Sequence, residues 1–146
     1  NDYKIVSCDS SRVNDFRIES ITCNVASASN SEVRNIVLSI SEQGEITSSL
    51  STPIKVPQQY IDSLDVIPDF NQLERLENMN RVLSTIYFNT PENYSPDQID
   101  FIIQFGQNTV NQFQDKYMWQ VDFFTNNELD ILETIYVDGE SLEVSR

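Results

Sequence analysis

Apolar residues recur at every second position in both terminal parts of this chain, and that spacing restricts its fold more than any other feature. Alternation of this kind is the period of a β-strand with one buried face. Up to residue 57 it predicts four strands, at Tyr3 to Val6, Phe16 to Val25, Ile36 to Ile40 and Ile46 to Leu50. After residue 118 it predicts three more, at Trp119 to Phe124, Leu129 to Val137 and Leu142 to Val144. We therefore expect a mainly antiparallel sheet.

Local irregularities in the pattern predict a bulge and two hairpins. The apolar phase slips between Ile18 and Ile21, as one extra residue in a strand would make it do. Gly44 lies between two alternating stretches and is the natural position for a positive φ in a tight turn. Asp138-Gly139 is typical of a type I′ hairpin.

The middle of the chain carries a first segment with helical spacing. Apolar residues from Phe70 to Ile86 recur at intervals of three or four, which is the period of an amphipathic helix. Asp69 precedes this stripe and stands three residues before Gln72, which is the spacing of a capping box. The pattern predicts a helix that begins at Asp69.

A second segment has the same two properties. Ser95 stands three residues before Gln98 with Pro96 at the first helical position, and apolar residues from Ile99 to Tyr117 follow at helical intervals. We expect a single α+β domain over residues 1–146, in which about four N-terminal and three C-terminal strands carry two central amphipathic helices packed on one face.

Composition narrows the function as well as the fold. The chain has 146 residues, enough for one domain with a substantial core. Nine Lys and Arg stand against 23 Asp and Glu, so the formal net charge is −14 and the sequence pI is about 4.1. Such a chain repels nucleic acid and is expected to bind a basic protein partner.

Missing residue types exclude several kinds of chemistry. The sequence contains no His, two Cys and three widely separated Gly. Without His there is no histidine-based triad and no His-ligated metal, and two Cys do not make a four-thiolate zinc site. Isolated glycines do not form a phosphate-binding loop. We expect no catalytic residue, no cofactor and no metal site, and hence no enzyme.

Carboxylates are the remaining reactive groups. Asp62, Asp65 and Asp69 cluster ahead of the first predicted helix, where a calcium loop is an alternative to a helix cap with solvated neighbours. The turn at Asn126-Asn127 is followed by Glu128 and needs no ligand, because Asn tolerates left-handed backbone. A hydrolase that uses a carboxylate pair is the most remote of the alternatives.

The two cysteines and the first residue bear on the compartment. Cys8 and Cys23 either form one disulfide or are two buried thiols. The chain begins at Asn1 without a basic or apolar leader, so we expect that any targeting segment has been removed. No run of about 18 apolar residues is present to span a membrane. These features favour an extracytoplasmic location, periplasmic or secreted, over a cytoplasmic one.

Aromatic residues supply the candidate contacts for a partner. Trp119 and Phe124 lie near the start of the C-terminal strands, and Tyr87 and Tyr94 lie near the connection of the two predicted helices. Aromatic anchors dominate many protein interfaces. Our first hypothesis is a non-enzymatic, acidic interaction domain such as an inhibitor, an immunity-type protein or an assembly subunit. The alternative is a secreted or periplasmic domain of a surface protein that binds a small ligand or glycan.

Overall fold

One antiparallel β-sheet dominates the computed structural model of the chain, which describes residues 3–13, 19–41, 43, 45–63, 79–106, 112–113 and 118–146. Within these residues the strands are β1 (Tyr3–Asp9), β2 (Ser20–Ser27), β3 (Glu32–Ile40), β4 (Ile46–Leu50), β5 (Ile54–Lys55), β6 (Ile99–Phe105), β7 (Met118–Thr125), β8 (Glu133–Asp138) and β9 (Val144–Ser145). The helices are α1 (Gln58–Ser63) and α2 (Met79–Phe88), and Pro96–Gln98 forms one turn of 3₁₀ helix.

The sheet joins two meanders side by side. Its strand order is β4-β3-β2-β1-β6-β7-β8-β9, and β5 continues the edge formed by β4 along β3. Strand β1 pairs with β6 through Cys8 opposite Phe105 and Asp9 opposite Gln104. Apart from β5, which pairs with β3 instead of with β4 or β6, consecutive strands of each meander are neighbours in the sheet, and the β1–β6 pair brings the N-terminal and C-terminal halves together.

The core lies on the face of the sheet that α2 covers. Val82 and Ile86 of α2 are buried in the same cluster as the inward-facing strand residues. Those strand residues include Ile5, Cys8, Ile21, Cys23, Val25, Ile36 and Leu38 from the first meander and Phe101, Ile103, Phe105, Trp119, Val121, Phe123, Ile135 and Val137 from the second. Except in β1, where the register shifts between Ile5 and Ser7, they follow the period of two that the sequence shows, because each strand directs alternate side chains inward.

A disulfide joins the first two strands inside this core. Cys8 and Cys23 stand opposite each other in the β1–β2 ladder, with 4.0 Å between their Cα atoms. The alternative of two free thiols is therefore not what the structure shows. Strand β1 reaches this register through an irregularity between Ile5 and Ser7, while the bulge predicted after Ile18 begins outside the described residues.

The prediction of two central helices on the sheet is wrong. Residues 99–105, placed in the second predicted helix, form strand β6, which pairs with β1 on one side and β7 on the other. An almost continuous apolar run satisfies both periods, and isoleucine and phenylalanine favour the extended one. The structure has a mostly antiparallel nine-stranded sheet, and α2 is the one helix of seven or more residues in its described part.

The two predicted capping motifs have different outcomes. The Ser95 motif is present, and the backbone N–H of Ser95 donates to the side-chain oxygen of Gln98 at 2.9 Å. It caps only the 3₁₀ turn, because β-strand pairing begins at Ile99. Asp69 and the first half of its helix lie outside the described residues, and α2 occupies the second half.

Two turns also differ from the pattern. Strand β8 ends at Asp138 and β9 begins at Val144, so the connection is longer than a two-residue type I′ turn. Asp138 organises it by accepting hydrogen bonds from the backbone of Glu140 at 2.8 Å and of Ser141 at 3.0 Å. Leu142 then adopts a φ of 66°. Gly44 lies outside the described residues.

Candidate functional site

The four aromatic candidates separate into two buried and two exposed residues. Trp119 is 1 % exposed and packs against Phe105, with 5.6 Å between the ring centroids. Phe124 is 7 % exposed and lies under the guanidinium of Arg12, 4.5 Å from its ring centroid. Both are therefore parts of the packed interior. Tyr87 and Tyr94 are 46 % and 37 % exposed, and only these two present area to a partner.

Tyr87 and Tyr94 belong to one end of the sheet, which we call the open end and define as residues 87–98 and 125–132. The first segment leaves α2 and enters β6, and the second connects β7 to β8. Asn126 ties them together through its backbone N–H to the carbonyl of Gln98 at 3.1 Å and its side-chain amide to the carbonyl of Asp97 at 2.7 Å. The two segments are therefore in contact where Asn126 meets Asp97 and Gln98.

Exposed apolar side chains concentrate on the open end. Of the nine large hydrophobic residues that are exposed in the described chain, six lie there: Tyr87, Phe88, Tyr94, Leu129, Ile131 and Leu132. Phe88 is 81 % exposed and Leu129 is 88 % exposed. Isolated exposed hydrophobics are ordinary, but their concentration in two segments that are joined at Asn126 is typical of an interaction site.

The same surface is acidic. Glu92, Asp97, Glu128 and Asp130 are all exposed there, and neither segment contains a Lys or an Arg. Glu128 and Asp130 flank Leu129 directly. Neither segment contributes a cation to offset these carboxylates, so the exposed leucine has a negatively charged side chain on each side in the sequence.

Two arginines of the described chain that contact the open end also pair with carboxylates. Arg12 donates from Nε to the Asp100 carboxylate at 2.8 Å and from Nη2 to the carbonyl of Thr125 at 3.0 Å. Arg146 pairs with Glu133 and approaches the carbonyl of Asn89 at 3.5 Å. Each arginine therefore contacts a backbone carbonyl of the open end, and its charge is balanced by the carboxylate with which it pairs.

The buried carboxylates inside the sheet are occupied as hydrogen-bond acceptors. Asp122, 7 % exposed, accepts from Thr134 at 2.8 Å, from Gln120 at 3.1 Å and from Gln104 at 3.4 Å. Asp100 is 4 % exposed and pairs with Arg12. Satisfied groups of this kind specify how strands pack together, and they explain why Asp is tolerated on buried strand positions.

A second polar cluster lies on the first meander, away from the open end. The Tyr3 hydroxyl donates to Glu32, and Lys55 Nζ lies 3.2 Å from the other carboxylate oxygen. The Tyr3 hydrogen bond, with the nearby cations Lys55 and Arg34, holds the pKa of Glu32 below its ordinary value. This cluster joins β1, β3 and β5 and has a structural role.

Only one of the three acidic residues weighed as calcium ligands lies in the described chain. Asp62 is exposed on α1, where it accepts a hydrogen bond from Gln58 at 3.0 Å. Asp65 and Asp69 lie outside the described residues. Among the residues that are described, no three His, Cys, Asp or Glu side chains form a group able to hold a metal ion.

An open groove borders the open end. It has a volume of about 450 Å³ and lies between α2 and the β8–β9 connection. Its lining residues are Arg81, Ser84, Thr85, Phe88, Asn89 and Leu142. Phe88 and Asn89 belong both to this groove and to the open end, so the two features are continuous.

The sequence analysis assigned Leu129 and Ile131, two exposed residues of the open end, to a strand. The alternation through Leu129 and Ile131 predicted a strand from Leu129 to Val137, but β8 begins only at Glu133. Leu129 and Ile131 are therefore in the loop and exposed rather than inward-facing. The available signal was the pair of acidic residues beside Leu129, since a charged, turn-rich stretch favours a loop over a strand.

Comparisons with protein-family models, curated proteins and solved structures found no match to this chain. No helix in the part of the chain that the structure describes is long and apolar enough to cross a membrane.

Proposed function

We propose that this chain is a non-enzymatic protein–protein interaction domain whose open end binds a basic protein partner. One observation carries the proposal: Leu129 is 88 % exposed between the carboxylates of Glu128 and Asp130, in a pair of segments that contain no Lys or Arg. A cationic partner surface with an apolar recess complements an exposed leucine that is flanked by carboxylates.

The apolar and the acidic residues of the open end contribute to such binding in different ways. Phe88, Leu129 and Ile131 supply the area that leaves water, and this burial is the main source of affinity. Glu92, Asp97, Glu128 and Asp130 steer a basic partner toward the surface and select against acidic ones. Charge therefore governs the rate of association, and the exposed hydrophobics govern the lifetime of the complex.

The disulfide bears on the cellular compartment in which this binding occurs. Disulfides persist in oxidising compartments and are rare in a reducing cytosol. The Cys8–Cys23 bond is thus compatible with a periplasmic or secreted domain. An inhibitor, an immunity-type protein or an assembly subunit is the kind of protein we propose.

An affinity capture with matched variants tests the proposal. The tagged chain is used to recover partners from extracts of its own organism at low and at high salt, and bound proteins are identified by mass spectrometry. The variants Leu129→Ser and Glu128→Lys/Asp130→Lys are compared with Glu45→Lys/Asp62→Lys, which makes the same charge change at exposed positions away from the open end.

We expect one basic protein that is recovered at low salt, reduced at high salt and lost with both open-end variants but kept with the control. Recovery that is indifferent to Leu129→Ser and to the two Lys substitutions at 128 and 130 overturns the assignment of the surface. Recovery of no basic protein by the unaltered chain overturns the function.

The groove beside α2 favours a second candidate, a domain of a surface protein that binds a small ligand or glycan. The Phe88 ring is 81 % exposed at the groove and is accompanied by the polar side chains of Ser84 and Asn89. A ring face with adjacent polar groups is suited to stacking on a sugar. Binding to a glycan array that is lost in Phe88→Ala and insensitive to salt supports this candidate over the first.

A further inference from the structure

The edge of the sheet opposite to β9 is formed by β4, and its outer side pairs with no strand among the described residues. Thr47, Ser48, Ser49 and Leu50 are all exposed. Natural edge strands are protected by charged residues, proline, bulges or covering elements, because an open ladder is a template for another strand. The five residues of β4 include no charged residue and no proline.

The hydrogen bonds of the β3–β4 hairpin show which backbone groups of β4 are open. Ser51 donates to the carbonyl of Asn35, and Ser41 donates to the carbonyl of Glu45, each at 2.9 Å. In an antiparallel pair, residues whose backbone groups face the partner alternate with residues whose groups face away. The N–H and C=O groups of Thr47 and Ser49 therefore face β3, and those of Ile46, Ser48 and Leu50 face outward.

We infer that β4 pairs with β4 of a second copy of this chain, antiparallel and with Ser48 on the twofold axis. In that register Ser48 lies opposite Ser48, and Ile46 lies opposite Leu50. These are the outward-facing residues, so their three N–H and three C=O groups in each copy make six hydrogen bonds. Other symmetric registers leave some of these groups unpaired.

The side chains of β4 favour a copy of itself as the occupant. Every cross-strand pair in this register is uncharged: Ile46 with Leu50, Thr47 with Ser49, and Ser48 with Ser48. Like charges directly opposite each other destabilise a strand pair, and none arises here although the whole chain carries −14. Leu50, 55 % exposed, lies on the edge that pairing covers.

The net charge sets the salt dependence of this contact. Two chains of −14 repel each other, and added salt screens that repulsion. Pairing through β4 is therefore strengthened by salt, whereas binding of a basic partner at the open end is weakened by it. The opposite signs separate this inference from the proposed function, which concerns a different part of the molecule.

Sedimentation analysis over a range of protein concentrations, at about 50 mM and about 500 mM salt, tests the inference. Ser48→Pro removes an outward N–H without removing a bond to β3, and Ser48→Lys places two like charges on the twofold axis. Ser39→Lys adds the same charge at an exposed position of the neighbouring strand β3 and is the control. Circular dichroism and thermal melting confirm that each variant is folded.

We expect a monomer–dimer equilibrium that strengthens with salt, with a dissociation constant raised about tenfold or more in the two Ser48 variants and unchanged in Ser39→Lys. Ser48→Lys keeps the test decisive if Ser48→Pro does not fold. An unaltered chain that stays monomeric at every concentration and both salt levels overturns the inference. Dimerisation that persists equally in folded Ser48→Lys also overturns it.

Discussion

The phenol of Tyr3 reaches across strand β2 to donate a hydrogen bond to the carboxylate of Glu32. Tyr3 and Glu32 lie opposite the same residue, Ser27, on the two sides of β2. The contact therefore joins three successive strands at one end of the first meander. Lys55 completes it from the next strand along the edge, with its Nζ 3.2 Å from Glu32.

This contact makes part of the folding stability dependent on pH. The pKa of Glu32 is lower in the folded chain than its ordinary value, chiefly because of the Tyr3 hydrogen bond. The unfolded chain therefore takes up the proton first, so the stabilisation is complete above the unfolded pKa and is lost as the pH falls through the folded pKa. We expect the melting temperatures of the unaltered chain and Glu32→Gln to differ at pH 7 and to converge as the pH falls through the lowered pKa of Glu32. A difference that does not change with pH contradicts this assignment.

The disulfide is expected to contribute a measurable share of the stability. Cys8 and Cys23 are 15 residues apart, and closing a loop of that length is worth about 3 kcal/mol through the entropy of the unfolded chain. Cys8→Ala/Cys23→Ala removes the bond without leaving an odd thiol. Denaturant unfolding of this variant, compared with the unaltered chain with and without a reducing agent, measures the loss. A loss below about 0.5 kcal/mol would show that the bond constrains little.

The pair of Arg12 and Asp100 is expected to behave as a partly buried ion pair. Arg12→Met removes the bond at 2.8 Å, the bond to the Thr125 carbonyl and the cation–π contact with Phe124, and it leaves Asp100 charged and 4 % exposed. We expect a loss of about 2 to 4 kcal/mol, since Arg12 keeps some contact with water.

A double-mutant cycle distinguishes the cost of leaving the buried Asp100 carboxylate without Arg12 from the value of the Arg12–Asp100 pair. Arg12→Met/Asp100→Asn is expected to be more stable than Arg12→Met alone, because the carboxylate is no longer charged and buried. Equal stability of the single and double variants in urea unfolding contradicts this explanation.

Core and open-end phenylalanines are expected to differ sharply in their effect on stability. Phe123 is fully buried and packs against Phe101 with 6.2 Å between ring centroids, so Phe123→Ala costs about 3 to 5 kcal/mol. Phe88 is 81 % exposed, and Phe88→Ala changes the free energy of unfolding by less than about 0.5 kcal/mol. A large loss in Phe88→Ala would place this ring in the structural core instead of on a binding surface.

The sequence predicted the first meander and part of the second with few errors. Ile21, Cys23 and Val25 alternate with polar residues, and all three are buried in β2 as that period requires. The alternate residues Thr22 and Asn24 of β2 are half-buried and exposed, so the contrast between the two faces of this strand appears directly in the residue pattern.

The pattern was ambiguous for strands that are buried on both faces. Ile99 to Phe105 contains apolar residues at helical and at strand intervals, and Asp100 within it is buried by pairing with Arg12. A strand at the centre of a sheet has no solvent side to mark its period. The partner strands β1 and β7, which are distant in sequence, determine its conformation.

The candidate surface depended even more on tertiary structure. Tyr87 and Tyr94 were identified from the sequence, whereas Trp119 and Phe124 proved to be buried. Leu129 was assigned to a strand, although it became the most exposed large hydrophobic residue described. The aromatic residue type alone does not show whether a side chain packs in the core or is exposed for binding to a partner.

The sequence by itself determined the strand-forming periods, the acidic charge and the absence of histidine chemistry, whereas the pairing of Cys8 with Cys23 came from the register of β1 and β2. Only the tertiary structure decided that Ile99–Phe105 is a strand, that β8 begins after Leu132, and that 87–98 meets 125–132 through Asn126. Periodicity is a local property that each segment carries alone. Burial of a particular side chain depends on which distant segments pack against it, and that choice is made by the pairing of the whole sheet.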